Sequence, residues 1–329
     1  EPTPAGDLAR RIQDLEELGY ASGYETAPEV DGVTLLDAER AMPGLNLVVS
    51  AHAAEASLMD LEGRVVHRWA RTFEDTWPGR PANPLRRASW RRAHALPDGG
   101  LLAIFTSLGV VRLDRDSRLL WTWDGCAHHA LDVADDGTIY VLSRRASVIP
   151  EMHPSEPILE DFVTRLSPEG QELDTVSIRD CLANSEHAAI LGEIHGTGDV
   201  FHANAVHWLD GSVAAPEFAR GGALVSLRQL DLLLVLDLEH QTVRWAARGS
   251  WHRQHEPTLL AGGTMLVFDN LSVPERSGVI EFDPLTGAEL WVYRPDGEQR
   301  FFSSGCGTCQ RLPNGNTLIT ASNSGRAFE

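Results

Sequence analysis

One unit returns along this chain and limits its fold more than any other feature. It is an apolar residue, an Asp, a short turn often closed by Gly, and a run that ends on Trp. It reads Met59-Asp60-Leu-Glu-Gly63 through Trp69, then Leu113-Asp114 through Trp121. A weaker copy is Leu166-Ser-Pro-Glu-Gly170, and fuller ones are Leu236-Asp237 through Trp245 and Phe282-Asp283 through Trp291. Strand, Asp/Gly turn and strand make a hairpin. A second unit, a Gly turn before an apolar strand, interleaves with the first. Its copies close on Gly99, Gly137, Gly211, Gly263 and Gly315.

Two hairpins per repeat, at a period of roughly 45–70 residues, make four-stranded blades. Such blades close in a ring and leave only short edges. The hairpins are offset by one, which predicts an all-β, six-bladed β-propeller over residues 31–329. A β-sandwich with insertions is the alternative, and the recurring Asp turns disfavour it. The final blade lacks a strand. Gly32-Val-Thr-Leu-Leu36 is expected to supply it; a chain cut short is the other explanation. Residues 1–30 form a helical extension. Within it Leu8, Ile12, Leu15 and Leu18 share a helix face, and Gly19 is the expected C-cap. The extension reads as a packing helix or as a spacer to a lost anchor.

The net charge is −19, and all 28 basic residues are Arg. Nucleic-acid binding needs a basic stripe, so it is disfavoured. Lysine Schiff-base and P-loop chemistry are excluded. No apolar run is long enough to span a membrane. Any anion must therefore be met by Arg, His or backbone N–H groups. Of the four cysteines, Cys306 and Cys309 form a C-x-x-C pair. Without a second such pair this is weak evidence for zinc. A small disulfide, a redox pair and two reduced thiols all remain open.

In a propeller the first strand of each blade lines the central channel. The positions just before the inner Gly turns are His94, His128-His129, His202, His255 and Cys306/Cys309. Five blades in succession thus offer His or Cys to one channel. The remaining histidines, His207 among them, read as surface or packing residues. Arg228 ends the second strand of the blade that begins at His202, placed either inward on an anion or in a surface ion pair. Asn204 lies two residues past His202 and, at the strand period of two, on the same face. It is expected to donate an amide hydrogen bond to the same ligand.

Phe201-His202-Ala-Asn204-Ala-Val206, Leu224-Val-Ser-Leu-Arg228, Gln254-His255, Phe268-Asp-Asn270 and Gln310 through Ile319 resemble the arylsulfotransferase family. His128-His129-Ala-Leu-Asp-Val133 is similar to that family's His-His-Asp-x-Asp run, with Ala130 at the first Asp. The likeness covers about residues 44–329. It implies a six-bladed propeller and a two-step transfer of a sulfuryl group between phenols, carried on a histidine. By motif match His255 is the nucleophile. His129, His202, Asn204 and Arg228 hold sulfuryl oxygens and assist proton transfer. His128, His94 and Asn270 are expected on the substrate-binding side. No cofactor is implied, the substrate is a small aromatic molecule, and an exported protein is favoured. The first residue, Glu1 rather than Met, agrees with a removed leader.

Two other readings compete. His129, His202 and His255 with one water match a catalytic zinc arrangement, with Cys126 or Cys309 as a further ligand. A divalent metal such as zinc, copper or calcium would then support a lyase or hydrolase. The third reading is a non-catalytic binding propeller.

Overall fold

A computed structural model describes residues 4–19, 29 and 32–329. Its strands pair into six antiparallel sheets. The first holds β1 (Asn46–Val49), β2 (Glu55–Met59) and β3 (Val65–Ala70). The second holds β4 (Arg92–Ala95), β5 (Leu101–Phe105), β6 (Gly109–Leu113) and β7 (Leu119–Trp123). The third holds β8 (Ala127–Val133), β9 (Ile139–Val148), β10 (Pro157–Leu166) and β11 (Glu172–Ser177). The fourth holds β12 (Ala203–Trp208), β13 (Gly222–Leu227), β14 (Leu232–Asp237) and β15 (Thr242–Ala247). The fifth holds β16 (His255–Leu259), β17 (Met265–Val273), β18 (Arg276–Phe282) and β19 (Glu289–Tyr293). The sixth holds β20 (Thr308–Arg311), β21 (Thr317–Ala321) and β22 (Arg326–Phe328). The strands β1, β4, β8, β12, β16 and β20 neighbour one another in that order and line the axis. This is the six-bladed β-propeller that the hairpin repeat predicts.

The repeat has a local cause and a tertiary one. Each Asp holds its own turn: Asp60 Oδ1 accepts from the Glu62 and Arg64 N–H groups at 3.1 and 2.9 Å. Asp114 does the same for Asp116 and Arg118, both at 2.8 Å. A short carboxylate that caps the backbone two residues on is a turn signal. The closing Trp joins blades. Nε1 of Trp69 donates to Gly99 O at 3.3 Å, that of Trp121 to Pro168 O at 3.0 Å, and that of Trp245 to Pro284 O at 3.0 Å. Each acceptor belongs to the following blade. Gly170 is required here, because a Cβ would lie 2.5 Å from the Trp121 ring. Strands sandwiched between blades, such as β5, β6 and β14, are buried throughout. That explains their unbroken apolar runs where half-exposed strands would alternate.

Helix α1 (Pro4–Glu16) packs on β9 and β10 of the third blade. It ends before Gly19, so the expected glycine cap is not used. The chain is held instead by the propeller: Ser107 Oγ donates to Leu18 O at 3.1 Å, and Arg144 donates to Glu16 O at 3.2 Å. Among the described residues no helix is long and apolar enough to cross a membrane.

Gly32–Leu36 does not form the closing strand. Val33 packs where a Cβ on Gly63 would meet it, and Leu35 is 87% exposed, so this run has no sheet edge beside it. The first and last blades are clasped by polar contacts. Asn316 Nδ2 donates to Arg40 O at 2.8 Å, and the Met42 N–H donates to Glu329 Oε1 at 2.8 Å.

The Trp joint can be tested. Trp245→Phe keeps the packing and loses one hydrogen bond, which should cost about 1 kcal/mol. Trp245→Ala should cost about 3–5 kcal/mol, because it also opens a cavity between blades. A Trp245→Phe variant as stable as the parent in denaturant unfolding would show that the indole N–H joins nothing.

Candidate active site

Three neighbouring inner strands break register at the positions that carry the histidines. The breaks fall between Ala127 and Leu131 on β8, Ala203 and Ala205 on β12, and His255 and Thr258 on β16. A bulge re-aims side chains and is common beside active sites. His129, His202 and Glu256 have φ of +49°, +53° and +47°. A non-glycine residue there costs about 1–3 kcal/mol and persists only where its surroundings fix it. His129, His202 and His255 are all buried, and the rings of His129 and His202 lie 4.9 Å apart.

The state of His255 follows from its partners. Nδ1 lies 2.7 Å from Asn270 Oδ1 and 3.1 Å from Arg253 O. Asn270 Nδ2 donates to Ser303 O at 2.6 Å and to Cys306 O at 3.0 Å, so its oxygen must be the atom that faces His255. The amide is itself braced. Ser277 Oγ donates to Asn270 O and accepts from Ser303 N, and Ser303 Oγ donates to Asn323 Oδ1. Two oxygens at Nδ1 place the proton on that nitrogen. Nε2 then keeps its lone pair; it is buried and has no hydrogen-bond partner among the described residues. Burial first, then the charges of Arg228, Arg91 and His202, push the His255 pKa down to about 3, against the pull of Asn270. The imidazole is therefore neutral at pH 7.

His128 and His129 form a tandem. Their Nδ1 atoms lie 2.9 Å apart, and His128 Nε2 lies 3.2 Å from Asp161 Oδ1. Asp161 comes from β10 and is 1% exposed; its Oδ2 accepts from the Ala203 N–H at 2.7 Å. A carboxylate there favours a proton on His128 Nε2, so His128 Nδ1 accepts from His129. Asp161 thus brings from another strand a carboxylate to a His pair that Ala130 follows. Burial, then Arg91 and the other histidines, holds the His129 pKa well below the usual imidazole range. His202 Nδ1 pairs with Asp199 Oδ2 at 2.5 Å.

Arg228 follows β13 directly, and its N–H donates to His202 O at 3.1 Å. Its guanidinium is half-buried, donates to Ser304 O at 3.3 Å, and leaves Nε without a partner among the described residues. The inward placement holds. The bulge removes the simple two-residue alternation between His202 and Asn204. Asn204 Nδ2 donates to Gln254 O at 2.7 Å, so one amide proton braces the residue before His255.

The ring of five positions divides in two. His128, His129, His202, His255 and Arg228 come together, as does Arg91, whose charge bears on His129 and His255. His94 does not join them. Its surroundings are Asp132 and Arg92, further along the channel. Of the residues expected to bind substrate, His128 turns Nδ1 toward His129 and Nε2 toward Asp161, and Asn270 has both side-chain polar atoms bonded to the protein. None of the four cysteines is joined in a disulfide, Cys306 and Cys309 included. Burial pushes the Cys309 thiol well up. Among the described residues no three His, Cys, Asp or Glu are grouped to hold a metal ion.

Sequence reasoning missed Arg91, Asp161, Asp199 and His207. An acidic pair inside an otherwise apolar strand (Leu159-Glu160-Asp161-Phe162) was the available signal for Asp161. His207 lies on the inner strand β12, 3.8 Å from Glu256, and belongs to the channel. No signal in the sequence distinguishes Asp199 from other turn aspartates.

Among solved structures, a protein of unknown function from Bacteroides caccae is similar at 13% identity and a TM-score of 0.55, covering 84% of this chain and 82% of that one. A functionally unknown protein from Desulfotomaculum acetoxidans is similar at 10% identity and 0.50, covering 84% and 72%. At these identities the likeness concerns the fold alone. No curated protein matches the chain. The arylsulfotransferase (ASST) profile matches residues 92–329, the stretch that carries the histidines of the site, Asn204, Arg228 and Asn270; Arg91 lies one residue before it. The chain therefore belongs to the arylsulfotransferase family.

Proposed function

We propose that this protein moves a sulfuryl group from an aryl sulfate to a phenol through a histidine-bound intermediate. The observation that carries this reading is His255: a buried, neutral imidazole with its proton fixed on Nδ1 and an unpartnered lone pair on Nε2. A nucleophile oriented by a third group is the general signature of covalent catalysis. In the first half-reaction Nε2 attacks sulfur, an N–S bond forms, and the S–O bond to the aryl group breaks. The departing phenolate takes a proton from His202. In the second half-reaction an acceptor phenol returns its proton to that imidazole and its oxygen attacks sulfur. The N–S bond then breaks and its electron pair returns to Nε2.

The protein's own groups suit these steps. Asn270 Oδ1 and Arg253 O face the Nδ1–H, where positive charge grows once sulfur is bound. Arg228 and Arg91 offer charge to sulfuryl oxygens in a site with little water, where such donors count most. His202 is held by Asp199 in a set orientation for proton transfer, and the His129 ring lies beside it, paired with His128. The chemistry needs no cofactor.

With 4-nitrophenyl sulfate, a phenol and excess chelator, the purified protein should release nitrophenol and sulfate the phenol. His255→Ala should lower that release by about 10³-fold or more. Asn270→Ala should lower it about 10–100-fold, as expected for a group that orients the reacting one. Nitrophenol release that survives His255→Ala in the folded protein would remove His255 as nucleophile.

The depressed pKa of His255 also fixes a sign. Between the ordinary value of 6.5 and about 3 the unfolded chain binds a proton that folded His255 refuses. Stability must therefore fall as pH drops through that window, with no contribution from this group above it. His129 acts in the same direction. Urea unfolding at several pH values should show a shallower slope below pH 6.5 in His255→Asn than in the parent. Parallel slopes would mean that His255 titrates normally.

A further inference from the structure

Directly beyond the histidines the channel is crossed by a second polar layer that the reaction does not use. Glu256 follows His255 on β16 and is held at a φ of +47°. Its carboxylate takes both terminal nitrogens of Arg92, at 2.6 and 3.1 Å. Arg92 begins β4, in the second blade, and Glu256 lies in the fifth. In a ring of six these blades face each other, so the pair spans the axis. The two blades between them complete the layer on one side. His207 of β12 has Nε2 at 3.8 Å from Glu256 Oε1 and Nδ1 at 3.9 Å from Asp132 Oδ2. Asp132 of β8 is fixed in turn by the Trp208 N–H, which donates to it at 2.8 Å. His94 lies beside Asp132 and Arg92. Cys309 Sγ reaches the carbonyl of Glu256 at 3.9 Å from the sixth blade.

A bidentate Arg–carboxylate pair is rigid and directional. It also gives the strained Glu256 backbone a reason to persist. Arg92, with the charge of His207, keeps the buried Glu256 carboxyl ionised across the neutral pH range. The layer is thus a fixed floor one residue beyond the nucleophile.

We infer that the Arg92–Glu256 pair closes the channel behind His255 and bars water from the sulfuryl-histidine, so that the group passes to a phenol and not to water. This inference rests on the sulfuryl-transfer reading. In the reaction that the floor suppresses, a water oxygen attacks sulfur, the N–S bond breaks and its electron pair returns to Nε2. The proton lost by the water passes to a neighbouring imidazole, and inorganic sulfate leaves. Arg92 and Glu256 touch no reacting atom here. They are specificity-determining and positioning residues.

The test follows both fates of the group. The parent protein, Arg92→Met, Glu256→Gln and Arg92→Lys are given 4-nitrophenyl sulfate and a phenol. Nitrophenol, sulfated phenol and inorganic sulfate are measured together, and a thermal melt confirms that each variant is folded. In the parent nearly all the group should reach the phenol. In Arg92→Met and Glu256→Gln nitrophenol release should continue, with the share ending as inorganic sulfate raised roughly tenfold, a difference of about 1.4 kcal/mol between the competing barriers. Arg92→Lys keeps a single-point ion pair and should fall between. An unchanged share in either folded variant overturns the floor. So does loss of nitrophenol release in both, because the pair would then serve the first step. No nitrophenol release from the parent overturns the sulfuryl-transfer reading, and the floor with it.

Discussion

The hydrogen bond between His255 and Asn270 is the contact on which the chemistry of this channel depends. It assigns the imidazole proton to one nitrogen and leaves the other with a lone pair in a buried site. It holds because Asn270 has no freedom to turn over. Ser303 and Cys306 carbonyls claim its amide protons, and Ser277 and Asn323 hold Ser303 in place. The proposed nucleophile on the fifth blade is thus aimed by strand β17 of its own blade and by the segment that leads into the sixth. The propeller makes this possible because the ends of adjacent blades meet at one mouth of the channel.

The same geometry explains the strained backbone. A regular inner strand would alternate its side chains between the channel and the blade interior. The bulges on β8, β12 and β16 interrupt that alternation and turn histidines of three blades toward one volume. The positive φ values of His129, His202 and Glu256 mark where the chain bends to do so. The cost is met by local contacts: His202 with Asp199, His129 with His128, Glu256 with Arg92. Backbone strain, ion pairs and orientation of the site are one arrangement, and a change in any of them should be felt by the others.

The channel holds two layers with different tasks. The outer layer has His129 and His255 at low basicity and, at Arg228, a guanidinium with a spare donor, which suits an anion that arrives and leaves. In the inner layer each charge has a fixed opposite partner within the protein, which suits a permanent barrier. His94 and His207 fall in the inner layer. One was expected in the outer ring and the other as a surface or packing residue.

Much of the fold was legible in the residues alone. The Asp turns and closing Trp residues repeat because each is satisfied by its own turn or by the next blade, so their spacing carries the blade count. The nucleophile candidate and its neighbours His129, His202 and Arg228 could be read from motifs, since each precedes or follows a recognisable strand. The sequence could not assign the tautomer of His255, because that depends on Asn270 and on a loop more than thirty residues away. Nor could it place Asp161 against His128, or Arg92 against Glu256, which is 164 residues distant. Local pattern determines which strands form and which residues they offer to the axis. Only closing the ring decides which offered side chains meet, because partners there are set by blade position around the axis and not by separation along the chain.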